Sequence, residues 1–297
     1  HRDVFADFIR IATHSKWSHS ALIYLLADPY RGYNNTYLVE ARTNGVQLKS
    51  LRNEAEPLKQ FTVGIKRPRL DWYIETPCEK AHHDPNNLED VHGIGYLRHV
   101  RGIGIDQING LYDKKTVYEI SALYAERVSK RHLSKVPQVA DAADAVADFF
   151  KNWDAKEASR QGDQRFICSG LIQYSFFQAL RIRIINDLAI PECREAGMSN
   201  LRNLSRIIYR EDPEGVIPRY ISQVQSGEID LAGPVPDDVM DLIKTGLPSD
   251  FNNSPDLEWK YIILDGGVWQ IEGVEGDYEP ESEEEKAVLS MMKAEHR

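Results

Sequence analysis

Between residues 18 and 25 the chain alternates: His19, Ala21, Ile23 and Leu25 fall on one face of an extended segment, Ser20, Leu22 and Tyr24 on the other. A period of two is that of a strand, so His19 is expected on a strand. The next residues, ADPYRGYNN, combine proline, glycine and asparagine and read as a loop. Beyond them TYLVEA reads as a second strand, with Glu40 between Val39 and Ala41, and the two strands are expected to pair. Thr43-Asn44-Gly45 is a hairpin signal, since asparagine and glycine tolerate the positive φ of a tight turn, and it leads to VQLKSL and then FTVGIKR. Residues 1–67 thus read as one antiparallel meander.

Residues 68–110 show no clear period and are rich in His, Gly, Pro and Asn, which reads as an excursion or lid. Helical spacing returns in TVYEISALYAERVSKRHL and in QVADAADAVADFFKNW, both expected to be packed helices. RFICSGLIQYSFFQAL reads as a short entry into a strongly apolar helix that starts near Cys168 or Ser169 and is buried along much of its length. Short helical pieces at 203–210 and 218–226, a helix at 236–244 and a loop at GLPSDFNNSPDLE make 200–250 a region of helical additions. WKYIILDGGVWQIEG holds two apolar runs about a turn, a final hairpin, and Ser282 with Glu285 has capping-box spacing ahead of a last helix. No internal repeat interrupts this order, so residues 1–297 read as a single α+β domain.

Composition narrows the function classes. A chain of 297 residues with 42% hydrophobic content can bury a sizeable core. Its 36 Lys plus Arg against 46 Asp plus Glu leave a net charge of −10, and no basic stripe interleaved with aromatics argues for a nucleic-acid partner. No apolar run reaches the roughly 18 residues of a membrane span, so no transmembrane segment is visible and the chain reads as soluble, the cytoplasm slightly favoured. It begins at His1, which leaves open a removed initiator, signal peptide, anchor or first strand. The three cysteines, Cys78, Cys168 and Cys193, cannot all pair within one chain and are too few for a disulfide framework, so at least one free thiol is expected.

Cys168 is the best nucleophile candidate. At a helix start, unsatisfied amide N–H groups and the helix dipole favour thiolate over thiol, and with a nearby imidazolium they lower a cysteine pKa by roughly 1 to 5 units. A cysteine in so apolar a run equally fills core space, and the pattern alone leaves both readings open. His19 could accept the thiol proton and later return it to a leaving group, or be a satisfied structural histidine. Glu40, on the neighbouring strand, could hold one ring nitrogen and leave the other facing Cys168; its plainer role is an edge-strand salt bridge.

Three segments in order, SKWSHSALIY, YLVEARTNGV and FICSGLIQYSF, resemble the successive motifs of the circularly permuted papain-like cysteine hydrolases of the NlpC-type superfamily. CSGL is itself similar to the cysteine motif of unpermuted members, and GLYDKK (110–115) and GLPSDFNNSP (246–255) resemble later segments of the YiiX/YaeF-like branch. Members usually carry a Gly-Asp-containing strand before the histidine motif, whereas here RDVFADFIRIATH precedes it. The resemblance implies a permuted papain-like α+β fold, its antiparallel sheet packed on the helix that Cys168 begins. It implies Cys168 as nucleophile, His19 as acid and base and Glu40 as orienting residue, with no metal or cofactor. The Cys168 backbone N–H would form part of an oxyanion hole; Tyr112 is a candidate second donor, set against the plainer reading of a packed tyrosine. The implied activity is that of a cysteine hydrolase, amidase, peptidase or acyltransferase-like, that forms an acyl-enzyme on an amide or ester. Its substrate would be a cell-wall peptide, another amide or a lipid-derived acyl group, since related permuted enzymes include lecithin:retinol acyltransferase.

Two other classes compete: a catalytically silent binding module of the same fold, and a metal-binding protein organised by Cys78, His82, His83, Asp84, His92 and His99. The spacing of the latter set matches no closed zinc pattern, so an exposed His-rich loop is the simpler reading. The two GIG repeats, at Gly93 and Gly102, form no G-x-G-x-x-G and read as turns, and the acidic run at 272–285 reads as a solvated face.

Overall fold

The computed structural model describes residues 9, 15, 17–25, 36–50, 62–69, 93–113, 165–209, 212–264 and 267–270. Strands β1 (Leu22–Leu25), β2 (Tyr37–Arg42) and β3 (Gly45–Ser50) form an antiparallel sheet in that order. The expected pairing of the first two strands is present, Leu22 opposite Val39 and Ile23 opposite Leu38. The expected hairpin follows, with Arg42 opposite Gly45, whose φ of +106° is a conformation glycine adopts without strain. Strand β1 is shorter than the alternation suggested. It starts at Leu22, and His19 lies in the segment just ahead of it rather than on the strand. The β1–β2 register begins at Leu22, and the Ser20 backbone N–H ahead of it is among the groups that lower the Cys168 thiol.

The meander ends at β3. Strand β4 (Val63–Pro68) belongs to a second antiparallel sheet, completed by β7 (Leu257–Leu264) and β8 (Gly267–Gln270) in the order β4-β7-β8. β7 and β8 are the expected final hairpin, while β4 was expected in the first sheet. An extended pattern states that a strand exists but not which edge it joins. Here Gly64 makes the choice: an added Cβ would lie 2.3 Å from the Trp259 ring and 2.8 Å from that of Trp17, so only a bare backbone fits under the two indoles.

The region expected as an excursion or lid contains helix α1 (Gly93–Asp106), so the GIG segments are helical and not turns. Each interior glycine disfavours a helix by about 1 kcal/mol relative to alanine, which hid it from pattern reading. Packing overrides the propensity. Tyr96, Val100 and Gly104 are buried on one face, Tyr96 donates to the Phe176 carbonyl at 3.2 Å, and a Cβ at Gly104 would come 3.3 Å from Ser175 Oγ. After α1, β5 (Leu111–Tyr112) pairs in parallel with β6 (Arg165–Phe166), and β6 runs through Ile167 into α2 (Cys168–Leu188). As expected, α2 begins at Cys168 and is buried almost throughout its first half, the behaviour of a helix apolar on all sides.

Short helices then wrap α2: α3 (Arg194–Ser199), α4 (Asn203–Arg206), α5 (Val216–Ser226), α6 (Asp237–Lys244) and α7 (Pro248–Asn253). The last of these occupies the segment expected as a loop, begun by Pro248 and by Asp250, whose carboxylate accepts from the Leu247 N–H at 2.7 Å. The described residues thus form a mixed α+β fold with small antiparallel sheets and one core running from Val39 and Ala41 through Phe177, Leu180 and Ile184 to Leu204 and Ile243. The helices expected within 114–164 and after Ser282 lie outside the described residues.

Candidate active site

Cys168 is the first residue of α2 and the free cysteine among the described residues; Cys193 is disulfide-bonded. Ile167, in extended conformation, ends the strand entry and leaves the first amides of α2 without a side-chain cap. The helix start is anchored by its next residues. Ser169 Oγ donates to the Gly246 carbonyl at 2.5 Å, and Gln173 Nε2 donates to the carbonyls of Ile243 at 3.0 Å and Leu242 at 3.3 Å. Gln173 Oε1 accepts from the Tyr209 backbone N–H at 3.0 Å. A buried glutamine thereby closes the orphan carbonyls at the end of α6 while fixing the angle of α2. Gly170 permits the contact, since a Cβ there would fall 1.8 Å from the Lys244 carbonyl oxygen.

The imidazole of His19 meets this helix start. Its Nε2 lies 2.8 Å from Glu40 Oε2, and the same ring interacts with the Cys168 side chain. Glu40 sits on the central strand β2, its side chain 2% exposed, so it is no edge-strand residue. Its second oxygen, Oε1, is 2.7 Å from Arg42 Nε, and Gln47 Nε2, directly across the β2–β3 pair, stands at 3.5 Å. The buried carboxylate therefore has a cation or a donor on each oxygen, which is what lets it stay charged there.

The electrostatics follow from this arrangement. Burial alone would push His19 down, but the charge and hydrogen bond of Cys168, then the hydrogen bond and charge of Glu40, raise it from 6.5 to about 9. Burial also penalises a Cys168 thiolate. It is outweighed by the His19 charge and hydrogen bond and by the backbone N–H groups of Ser20 and Ser169, so the thiol lies below its ordinary value. For Glu40 burial is again the largest influence and raises the pKa; His19 and then Arg42 reverse it and hold the carboxyl below its usual range. The two shifts of the Cys168–His19 pair run in opposite directions, and both favour thiolate with imidazolium over thiol with neutral imidazole. Cys168 is 1% exposed and His19 keeps 36% of its side chain in solvent, so the pair meets solvent through the imidazole.

Of the residues singled out from sequence, the structure brings together Cys168, His19 and Glu40. Tyr112 is buried on β5 and pairs with Phe166, two positions before Cys168. Of the metal-binding set only His99 is described, on α1; Cys78, His82, His83, Asp84 and His92 lie outside the described residues. Among the described residues no group of three or more His, Cys, Asp or Glu could hold a metal ion, and no helix is long and apolar enough to cross a membrane.

Sequence reading missed four contributors. Arg42 was visible as Glu-x-Arg, two residues on and therefore on the same face of the strand. Gln47 follows from the hairpin register once the turn is placed. The Ser20 amide and the Gln173 brace have no sequence signal, because both depend on where other elements pack. No protein-family model, curated protein or solved structure matches this chain.

Proposed function

We propose that the protein is a cysteine hydrolase of permuted papain-like architecture, acting by acyl transfer through Cys168. The observation that carries this reading is the chain Cys168–His19–Glu40, with its thiol lowered and its imidazole raised, at the uncapped start of a buried helix. Core packing alone gives no reason for a buried free cysteine to face a histidine that is itself held by a buried carboxylate.

In the proposed reaction the Cys168 sulfur attacks an amide or ester carbonyl, forming a C–S bond as the carbonyl electron pair moves to oxygen. Backbone N–H groups at the start of α2, the Cys168 amide foremost, stabilise the oxyanion. The imidazolium of His19 gives its proton to the departing amine or alcohol as the C–N or C–O bond breaks. Neutral His19 then takes a proton from water, whose oxygen attacks the thioester carbonyl; the C–S bond breaks, the acyl group leaves as a carboxylic acid, and the thiolate–imidazolium pair is restored. Glu40 keeps the ring in the tautomer and orientation that both steps use. Substrates of this class are peptides, other small amides and acyl esters, including lipid-derived ones.

The test is covalent capture. An activated acyl ester should add its acyl mass to Cys168, read by peptide mapping, and Cys168→Ala should abolish the adduct. His19→Ala should slow acylation by about 10² to 10⁴. A Cys168 whose alkylation follows an ordinary thiol profile, unchanged in His19→Ala, would defeat the hydrolase reading and favour the silent binding module.

A further inference from the structure

The segment that carries His19 has no ladder of its own, yet the imidazole must be held to a fraction of an ångström to serve Cys168 and Glu40 together. It is tethered at two points. On the C-terminal side Leu22 pairs with Val39 in the first sheet. On the N-terminal side Trp17 leaves the first sheet altogether: its ring lies against Trp259 of β7, centroids 5.4 Å apart, and its Nε1 donates to Asn252 Oδ1 of α7 at 3.1 Å. Gly64 of β4 supplies the floor, since any side chain there would strike both indoles. Only four residues separate Trp17 from Leu22, and His19 and Ser20 are the middle two. A span that short, drawn between two fixed points, has little slack in which to turn the ring or the Ser20 N–H away from the sulfur.

We infer that Trp17 is a positioning residue for the Cys168–His19 pair, through which the second sheet and α7 set the place of the histidine. This gives the sheet β4-β7-β8 and the GLPSDFNNSP segment a function, although neither supplies a reacting group. Trp17 touches no reacting atom and acts through the backbone of residues 18–20. The inference rests on the proposed hydrolase reading, and its test separates the two.

The experiment follows Cys168 alkylation by iodoacetamide across pH in the full chain, by mass mapping, with cooperative thermal unfolding as a check on folding. In the unsubstituted protein the profile should show a depressed thiol. Trp17→Ala should move it toward an ordinary cysteine, with alkylation at pH 6 about tenfold slower, the equivalent of one pKa unit. Trp17→Phe, which keeps a ring but lacks the donor, and Asn252→Ala, which removes the acceptor together with the Asn252 Nδ2 bond to Asn253 Oδ1, should move it in the same direction by less, and they carry the test if Trp17→Ala does not fold. A depressed thiol left unchanged in the folded variants would overturn this inference alone. An ordinary thiol in the unsubstituted protein would overturn the proposed function, and this inference with it.

Discussion

At the scale of single residues the site is a set of charges that offset one another's burial. Glu40 is buried on the middle strand because His19 and Arg42 each take one of its oxygens. Removing His19 leaves Oε2 without its partner, and removing Arg42 leaves Oε1 only the longer Gln47 contact at 3.5 Å, in a place that disfavours the charge. His19 links the site to stability. Its folded pKa of about 9 stands above the ordinary 6.5, so protonation favours the folded state. That contribution is fully present below pH 6.5 and is lost as pH rises through about 9. The stability advantage of the unsubstituted protein over His19→Gln, read as a difference in Tm, should therefore shrink as pH rises from about 8 to 10, above the range in which the lowered Cys168 thiol contributes the opposite slope. A difference that grew with pH would reverse the sign assigned here. Cys168 and Glu40 were legible because each sits beside a strong local signal, a helix start and a strand alternation. Arg42 was equally legible, two positions along the same face of the strand as Glu40.

The elements that matter most are α2 and what braces it. Its apolar run announced a buried helix, but which neighbour it met was decided by Gly170, Ser169 and Gln173 against the end of α6. Gly170→Ala would drive a methyl into the Lys244 carbonyl, and since the obstacle is backbone the cost should fall near the top of the overpacking range, about 3 kcal/mol. Urea unfolding would show this as a lowered midpoint at unchanged slope; a substitution costing nothing would mean that α6 can withdraw freely. Helix α1 teaches the converse. Its glycines read as turns because intrinsic propensity is a local quantity, whereas the burial of Tyr96, Val100 and Gly104 that stabilises it comes from α2 and the first sheet.

For the molecule as a whole, the second sheet joins the end of the described chain to its beginning: β4 pairs with β7, Gly64 opposite Ile262. Pairings so distant in sequence are entropically costly to close and form late. A chain ending at Asn253 lacks β7 and β8 and should melt at a lower temperature and less cooperatively than the full chain, and its Cys168 should alkylate like an ordinary thiol. A truncated chain that matches the full chain in both respects would make the second sheet dispensable. By itself the sequence determined what local physics can encode: the β2–β3 hairpin, the strand carrying Glu40, the helix that Cys168 opens, the final hairpin, and the thiol, imidazole and carboxylate of the candidate site. Tertiary structure alone decided that β4 leaves the meander, that a glycine-rich stretch coils into α1, that His19 stands ahead of its strand, and that Trp17 ties it to the far sheet. The division follows from the forces involved. Periodicity, turns and helix ends depend on a few neighbouring residues, whereas pairing partners and close backbone approaches are chosen by which surfaces fit once the chain has collapsed.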